Sequence, residues 1–533
     1  MARFATLALL LILSAPVLAQ TPGNCAPGTA SADLDISDVR ATLMTNGNLF
    51  YGETEDGFVQ NAYVVPKEST GTTAIFAANL WVGGLVEDDL RVAAATFVDF
   101  EFWPGPLGDD ATLPDPDDCS AFDRIWVVST LDVAAYDDTG VATADLAEWP
   151  VELGAEVVDG DGIEGNYDLA GGDRPRIYGS QTAFWVMNDV GNEHVRTGSD
   201  PIGLEMQVTA FAVSSTDDAF NQATFYRVRL VNRNTLALED ARFSIFADTD
   251  LGDTSDEYEG VDTTRGLGYY YNASETDSRY GVPPAAGFDF LGDGLSATRY
   301  AINSGFSPTN DPRTKEQIYN AQLGLWNDGT PQTALGDGYK TGGPETVWAF
   351  AGDPVTATCW SNTNNCAGEA NLAGNHRLIP TAPAFSLQPG EARTFDVAFL
   401  FAQGSSNLDS VTELRAASDR VQDAYDDGSL FDTRFPVASE DDTTSPTASR
   451  LGTLYPNPFS ASATVPFELG EAGPARLSVV DVLGREVAVL HEGALAAGAH
   501  RAVLSGSRLA SGVYLVVLEA GGRRQAAEVL RMR

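Results

Sequence analysis

Apolar and polar residues alternate along several stretches of the chain. Tyr226, Val228 and Leu230 alternate with Arg227 and Arg229, and after a polar turn Phe243 and Ile245 alternate with Arg242 and Ser244. A period of two places successive side chains on opposite faces of a strand, so these stretches predict an antiparallel pair with one solvated face. Beyond Pro389-Gly390, Phe395, Val397, Phe399 and Phe401 share one face of a further strand. One stretch has a helical period instead: Leu408, Val411, Leu414, Val421 and Tyr425. Ser406 and Asp409 precede it like a capping box with Asp in place of Glu. The consecutive Tyr269, Tyr270 and Tyr271 must alternate faces on a strand, which predicts that at least one is exposed. The body reads as mainly β, a multidomain β-sandwich arrangement with a few helices.

Further along, short apolar runs at 464–469, 475–482, 486–490, 500–504, 513–519 and 525–530 are separated by Gly473-Pro474, Leu483-Gly484-Arg485 and Gly521-Gly522. That spacing predicts a small Ig-like antiparallel β-sandwich. Before it, the Ser, Thr and Asp residues from Ala438 to Thr447 show no periodicity and read as linker. The expected organisation is a segment 1–19, an N-terminal β-rich region 20–180, a β-sandwich region with a C-terminal helix 181–430, a linker 431–450 and a C-terminal domain 451–533.

The first nineteen residues combine Met1-Ala2-Arg3, an apolar run from Leu7 to Leu13 and Val17-Leu18-Ala19. This is the pattern of a secretory signal peptide. The run falls short of the roughly 20 residues a bilayer requires, and no later stretch matches it, so no transmembrane segment is expected. Export to an oxidising compartment favours disulfides among Cys25, Cys119, Cys359 and Cys366. Sequence cannot choose rigorously among the possible pairings. The short Asn-rich loop between Cys359 and Cys366 favours that pair and leaves Cys25 with Cys119. A zinc site built from all four thiolates is the alternative, although no C-x-x-C pair is present.

Charge removes one class of partner. The 533 residues include 75 acidic against 32 basic, a formal charge of −43, and lysine occurs only at Lys67, Lys315 and Lys340. Such a chain has no basic face for a phosphate backbone, so no nucleic acid is expected. The acidity belongs to the first 450 residues, because from residue 451 onward seven acidic residues face eight arginines. An apolar content of 43% supports packed cores rather than global disorder.

Three C-terminal motifs occur in order: Tyr455-Pro456-Asn457-Pro458-Phe459, Asp481-Val482-Leu483-Gly484-Arg485-Glu486-Val487, and Leu509-Ala510-Ser511-Gly512-Val513-Tyr514. On these residues the segment resembles the type A C-terminal sorting domain of the Bacteroidetes type IX secretion system. This chain ends Arg531-Met532-Arg533 where the family often ends in Lys. The resemblance implies the type IX secretion machinery as partner, passage across the outer membrane, and release or attachment at the cell surface, usually with removal of the sorting domain. The body resembles large exported proteins of the same bacteria through Asn46-Gly47-Asn48-Leu49-Phe50, Leu80-Trp81-Val82-Gly83-Gly84, Glu101-Phe102-Trp103-Pro104-Gly105-Pro106, Tyr178-Gly179-Ser180-Gln181-Thr182 and Ala247-Asp248-Thr249-Asp250-Leu251-Gly252-Asp253. That likeness implies a fold family rather than a reaction.

Two acidic loops are candidate calcium sites. In the first, Asp159, Asp161, Asn166 and Asp168 stand in a Gly-rich turn able to supply the mixed oxygens that Ca²⁺ prefers. It lacks EF-hand spacing, and its literal G-x-G-x-x-G precedes no helix-forming stretch. The second carries Asp248, Asp250, Asp253, Asp256 and Asp262 after a predicted strand, a concentration of charge that a hard divalent cation would neutralise. The competing reading of both loops is a solvated acidic surface. Catalytic signatures are sparse: His194, His376, His491 and His500 are the only imidazoles, and no H-E-x-x-H, G-x-S-x-G or P-loop is present. Paired carboxylates suffice for a glycosidase, with Glu193, Asp248, Asp250 and Glu257 as candidates. Trp81, Trp185, Trp326, Trp348, Trp360 and Phe102-Trp103 are core or sugar-stacking residues. The expectation is an exported protein whose acidic, calcium-stabilised body is a binding or structural module, with a glycan or cell-surface polysaccharide as partner. The rival is an extracellular carbohydrate-active hydrolase.

Overall fold

Alternation along the chain becomes the central strands of two stacked sheets. The computed structural model describes residues 22–53, 59–61, 63–69, 72–96, 99–303, 308–431, 450–451, 459, 462–469, 472–481, 485–495, 498–505, 509–521 and 523–531. Residues 1–21, where the signal peptide is expected, residues 432–449 of the expected linker, Tyr455, Pro456, Asn457, Pro458 and Gly484 lie outside the described residues. The chain divides into two compact units, Met1–Val437 and Ala438–Arg533.

In the first unit the central strands are β1 (Ala77–Val86), β2 (Gln181–Asn188), β3 (Leu204–Ala212), β4 (Ala223–Asn232), β5 (Leu238–Asp248), β6 (Glu257–Asp262), β7 (Leu267–Asn272), β8 (Ala285–Leu291), β9 (Ala297–Ile302), β10 (His376–Thr381) and β11 (Ala392–Ala402). Sheet one runs Ser31–Leu34, Arg40–Met44, Asn48–Leu49, β1, β5, β10, β9; sheet two runs Trp126–Ser129, β2, β3, β4, β11, β8, β7, β6. Strands from both sides of residue 180 therefore share both sheets, as β1 pairs with β5 and Trp126–Ser129 with β2.

The expected pairing of β4 with β5 is not made. β4 lies between β3 and β11, with Tyr226 opposite Ala210 and Val397, whereas β5 lies between β1 and β10. The two strands face each other across the core, where Tyr226 and Val228 join Phe243 and Ile245 in one apolar cluster. Alternation specifies one buried face, and a facing sheet buries it as well as an adjacent hairpin would. Phe395, Val397, Phe399 and Phe401 do share the core face. The Phe399 ring meets Phe50, Phe288 and Tyr226 edge to face at centroid separations of 4.7, 4.8 and 4.9 Å, the arrangement favoured by ring quadrupoles.

Helices cover the outer faces. α1 (Lys315–Gln322) packs Ile318 and Ala321 against Trp81 and Phe246 of sheet one, whose rings stack at 4.8 Å. α2 (Asn407–Asp426) lays Val411, Leu414 and Val421 on sheet two beside Tyr269 and Tyr271. The Ser406 hydroxyl accepts from the Asp409 N–H at 3.1 Å, as the capping pattern predicts. The Asp409 carboxylate, one methylene shorter than Glu, reaches the Ser405 N–H at 2.7 Å instead of completing the box. With Tyr270 turned into the inter-sheet core, all three consecutive tyrosines are buried, against expectation. Alternation still holds on β7, but both faces of its sheet are covered. Trp81, Trp103, Trp185, Trp326 and Trp360 are likewise core residues.

Disulfides join Cys25 to Cys119 and Cys359 to Cys366, as the spacing favoured. This removes the four-thiolate zinc alternative. In the second unit, β12 (Ser462–Leu469), β13 (Gly473–Asp481), β14 (Glu486–Leu495), β15 (Gly498–Ser505), β16 (Gly512–Ala520) and β17 (Arg523–Arg531) match the six expected strands. They form a sheet Arg450–Leu451, β12, β15 and a sheet β14, β13, β16, β17 around Phe467, Leu477, Val479, Val516 and Leu518. Of the described motif residues, Phe459 is buried and donates its N–H to Leu530 O at 2.9 Å. Gly512 opens β16, Tyr514 sits opposite Asp481 and donates its hydroxyl to Ala510 O at 2.8 Å, and Arg485 is exposed. Among the described residues no helix is long and apolar enough to cross a membrane.

Candidate binding cleft

The connection between β9 and β10 is long, and it carries α1 and the Cys359–Cys366 loop back over one end of the sandwich. There it closes a cleft of about 640 Å³ whose lining includes Asn303, Asn362, Asn365, Asn371 and Asn375, the rings of Tyr300 and Phe350, the acids Asp337 and Glu369, and His376. Leu372, 89% exposed, also belongs to the lining. A cavity of this size with apolar walls and several placed polar groups suits a small ligand or part of a polymer.

His376 begins β10, opposite Ile302 of β9. Its Nδ1 lies 2.9 Å from Oε2 of Glu259, a fully buried residue of β6, so the pair joins the two sheets. Burial lowers the imidazole pKa, but the charge and hydrogen bond of Glu259 outweigh it and the value is raised. Nε2 is left without a protein hydrogen bond among the described residues, and the adjoining Gly374 would bring a side-chain Cβ to 3.4 Å from it. The wall is braced from behind. Asn362 Nδ2 donates to Glu259 O at 2.6 Å, and Asn371 Nδ2 donates to Asn362 Oδ1 at 3.0 Å.

Behind the cleft the loop after β5 folds its carboxylates onto protein donors. Asp248 accepts from Arg377 at 2.5 Å, and burial raises its pKa to about 7 despite that arginine, with Asp250 and Asp311 adding to the rise. Asp250 accepts from Asn375 Nδ2 at 3.1 Å, and Asn375 Oδ1 accepts from Arg377. Glu257 accepts from the Leu251 N–H at 2.6 Å and the Thr249 hydroxyl at 3.2 Å, and burial lifts its pKa well above the carboxylate range. Asp253 accepts from the Ser278 N–H at 3.0 Å, Asp256 from Asn272 at 2.7 Å and Asp262 from Arg265 at 2.8 Å. Among the described residues these carboxylates do not converge on a point where a cation could sit. Nor do Glu193, Asp248, Asp250 or Glu257 line the cleft. His194 has both ring nitrogens against backbone carbonyls, Val92 O at 2.9 Å and Asp189 O at 2.7 Å, and fastens the strand Asp89–Ala94 to the chain just after β2.

The first acidic loop does converge. Oxygens of Asp159, Asp161 and Asp173 lie within 4.8 Å of one another. Backbone N–H groups of Asp168 and Gly160 donate to the Asp173 carboxylate at 2.7 and 2.9 Å and hold its pKa below the ordinary value. Asn166 Nδ2 donates to Asp161 Oδ2 at 3.0 Å, whereas Asp168 accepts from the Gly171 N–H at 2.9 Å and serves the turn. Asp173 escapes a reading of the ten-residue loop because the chain returns to it only after Gly171-Gly172; that glycine pair is the available signal.

Residues 453–530 match the secretion system C-terminal sorting domain family. They are the sorting domain of an exported chain, and the protein is secreted or attached at the cell surface by the type IX route. No curated protein matches the chain. Among solved structures it is similar to a polysaccharide lyase at 10% identity and a TM-score of 0.19, over 66% of this chain and 39% of that one. The chain thus spans well under half of that protein, and so loose a superposition says nothing of what this body binds.

Proposed function

We propose that the body is a glycan-binding module carried outside the cell by the sorting domain. The observation that supports this is the cleft, where carboxamides stand beside the Tyr300 and Phe350 rings and an imidazole held by Glu259. Carboxamides match the mixed donors and acceptors of sugar hydroxyls, and aromatic rings match the apolar faces of pyranoses. The hydrolase reading is less well supported, since the four carboxylates proposed for it lie elsewhere than the cleft. Calorimetric titration of the full chain with neutral, acetamido and uronate polysaccharides tests the proposal. At least one class should bind, and Leu372→Ala combined with Asn303→Ala should weaken it about tenfold or more, as loss of central contacts does. Binding unchanged in that variant would sink this assignment of the cleft.

A calcium ion held by Asp159, Asp161 and Asp173 belongs to the same proposal, and the convergence of their oxygens supports it. The expected result is a calcium-specific rise in the unfolding midpoint that grows with concentration and is absent with equimolar magnesium or chelator. Asp173→Asn should abolish the rise. An equal response to magnesium, or none at all, would leave the loop as a solvated acidic turn.

A further inference from the structure

In a sheet with one solvated face, apolar residues should occupy alternate positions. β13 and β16 break that rule. Leu477, Val479, Tyr514, Val516 and Leu518 point into the core of the second unit, yet the residues between them, Val480, Val513, Leu515 and Val517, are apolar too. Registry places these on the opposite face of the sheet. Val480 lies across from Leu515, and Ser478 lies between Val517 on β16 and Val489 on β14. Val487 extends the same patch on β14. Val487 and Val489 are 42% and 43% exposed, and Val513 and Leu515 are each 36% exposed. Val480, Val517 and Ser478 in the middle of this face are buried, so the apolar surface it offers is that of Val487 and Val489 on β14 and Val513 and Leu515 on β16.

We propose that the outward face of the β14–β13–β16 sheet, centred on Val489, Leu515 and Val487, is the surface by which a protein component of the secretion machinery grips this chain. Three observations favour that occupant over others. The face lies wholly within residues 453–530, the stretch that matches the sorting family, so a partner for this unit is already required. From residue 451 onward the chain is nearly neutral, with seven acids against eight arginines, while the preceding 450 residues are strongly acidic, so the patch offers apolar contact without a repelling field. Burying such side chains in a partner contributes about 25 cal/mol per Å² of apolar surface, and exposed valines and leucines in register have no comparable return in water.

The test uses the full chain expressed in its own secretion host. Val489→Thr with Leu515→Thr puts a strand-favouring β-branched residue at both positions and should lower the extracellular fraction by about tenfold or more, the loss expected when central contacts of an interface are removed, with the chain accumulating in the periplasm. Val489→Glu with Leu515→Glu should be more severe, and Glu519→Gln, a polar position on β16, should export normally. The purified threonine variant should unfold at the wild-type midpoint, separating lost docking from lost folding. Normal export of the threonine variant overturns the proposal. So does a concentration-dependent dimer of the wild type that the threonine variant abolishes while exporting normally, which would assign the face to a second copy of the chain. Glycan binding by the body reports on the cleft and is indifferent to either result.

Discussion

Removal of residues 451–533 is expected to stop the body from reaching the cell exterior while leaving its fold intact. The two halves of that expectation rest on different observations. Export depends on the segment that matches the sorting family. Folding does not, because the clusters that make the body's core end at Leu430, with Phe431 packed against them, and the body is a compact unit of its own. Fractionation of cells producing the truncated chain should find it in the periplasm, with the extracellular amount reduced to what lysis releases. Fluorescence reports the body's unfolding without interference, since all 8 tryptophans precede the linker. An unchanged midpoint together with lost export assigns the defect to transport. A truncated chain that appears outside the cell in normal amount would show that the body carries its own route.

The elements were legible in the sequence where their signal is local. Alternation located β4, β5 and β11, helical spacing with a capping serine located α2, and turn residues delimited all six strands of the sorting unit. Partnership was not legible. Tyr226 and Phe243 each announce a buried face, but nothing within ten residues of either says whether that face meets a neighbouring strand or an opposed sheet. The three tyrosines of β7 misled for the same reason, because exposure depends on whether α2 covers the outer face, a contact made with residues far along the chain. The cleft had no signature at all. His376 and Glu259 are 117 positions apart and come from different sheets. In a chain with 75 acidic residues, the few carboxylates that are buried look in sequence like the many that are not. Burial is what separates Asp248 and Glu257 from Asp253, and burial is a property of the finished packing.

Arg377→Leu is expected to destabilise the body by about 3–5 kcal/mol at neutral pH, the range for removing one partner of a buried ion pair. Arg377 and Asp248 are each 2% exposed, and Arg377 also faces Asp311 at 3.7 Å and offsets part of the rise that burial gives the pKa of Asp250. Leucine fills part of the volume but leaves these carboxylates without their cation. The sign of the pH dependence follows. Burial already raises Asp248 from 3.8 to about 7 in the folded state, and loss of the guanidinium raises it further. A carboxyl raised on folding contributes stability that is fully present below its unfolded pKa and is lost as pH rises through its folded value. The variant's deficit should therefore be smaller at pH 5 than at pH 8, because above about pH 7 the wild-type carboxyl has released its proton while the variant's still holds it, and the gap then widens with a slope approaching about 1.4 kcal/mol per pH unit for one proton. Adding Asp248→Asn to Arg377→Leu should flatten that slope, because an amide has no charge to strand. Urea unfolding followed by tryptophan fluorescence at pH 5 and pH 8 measures both deficits. Equal losses at the two values would mean that Arg377 acts through packing alone, and that the cluster behind the cleft is held together by shape rather than by charge.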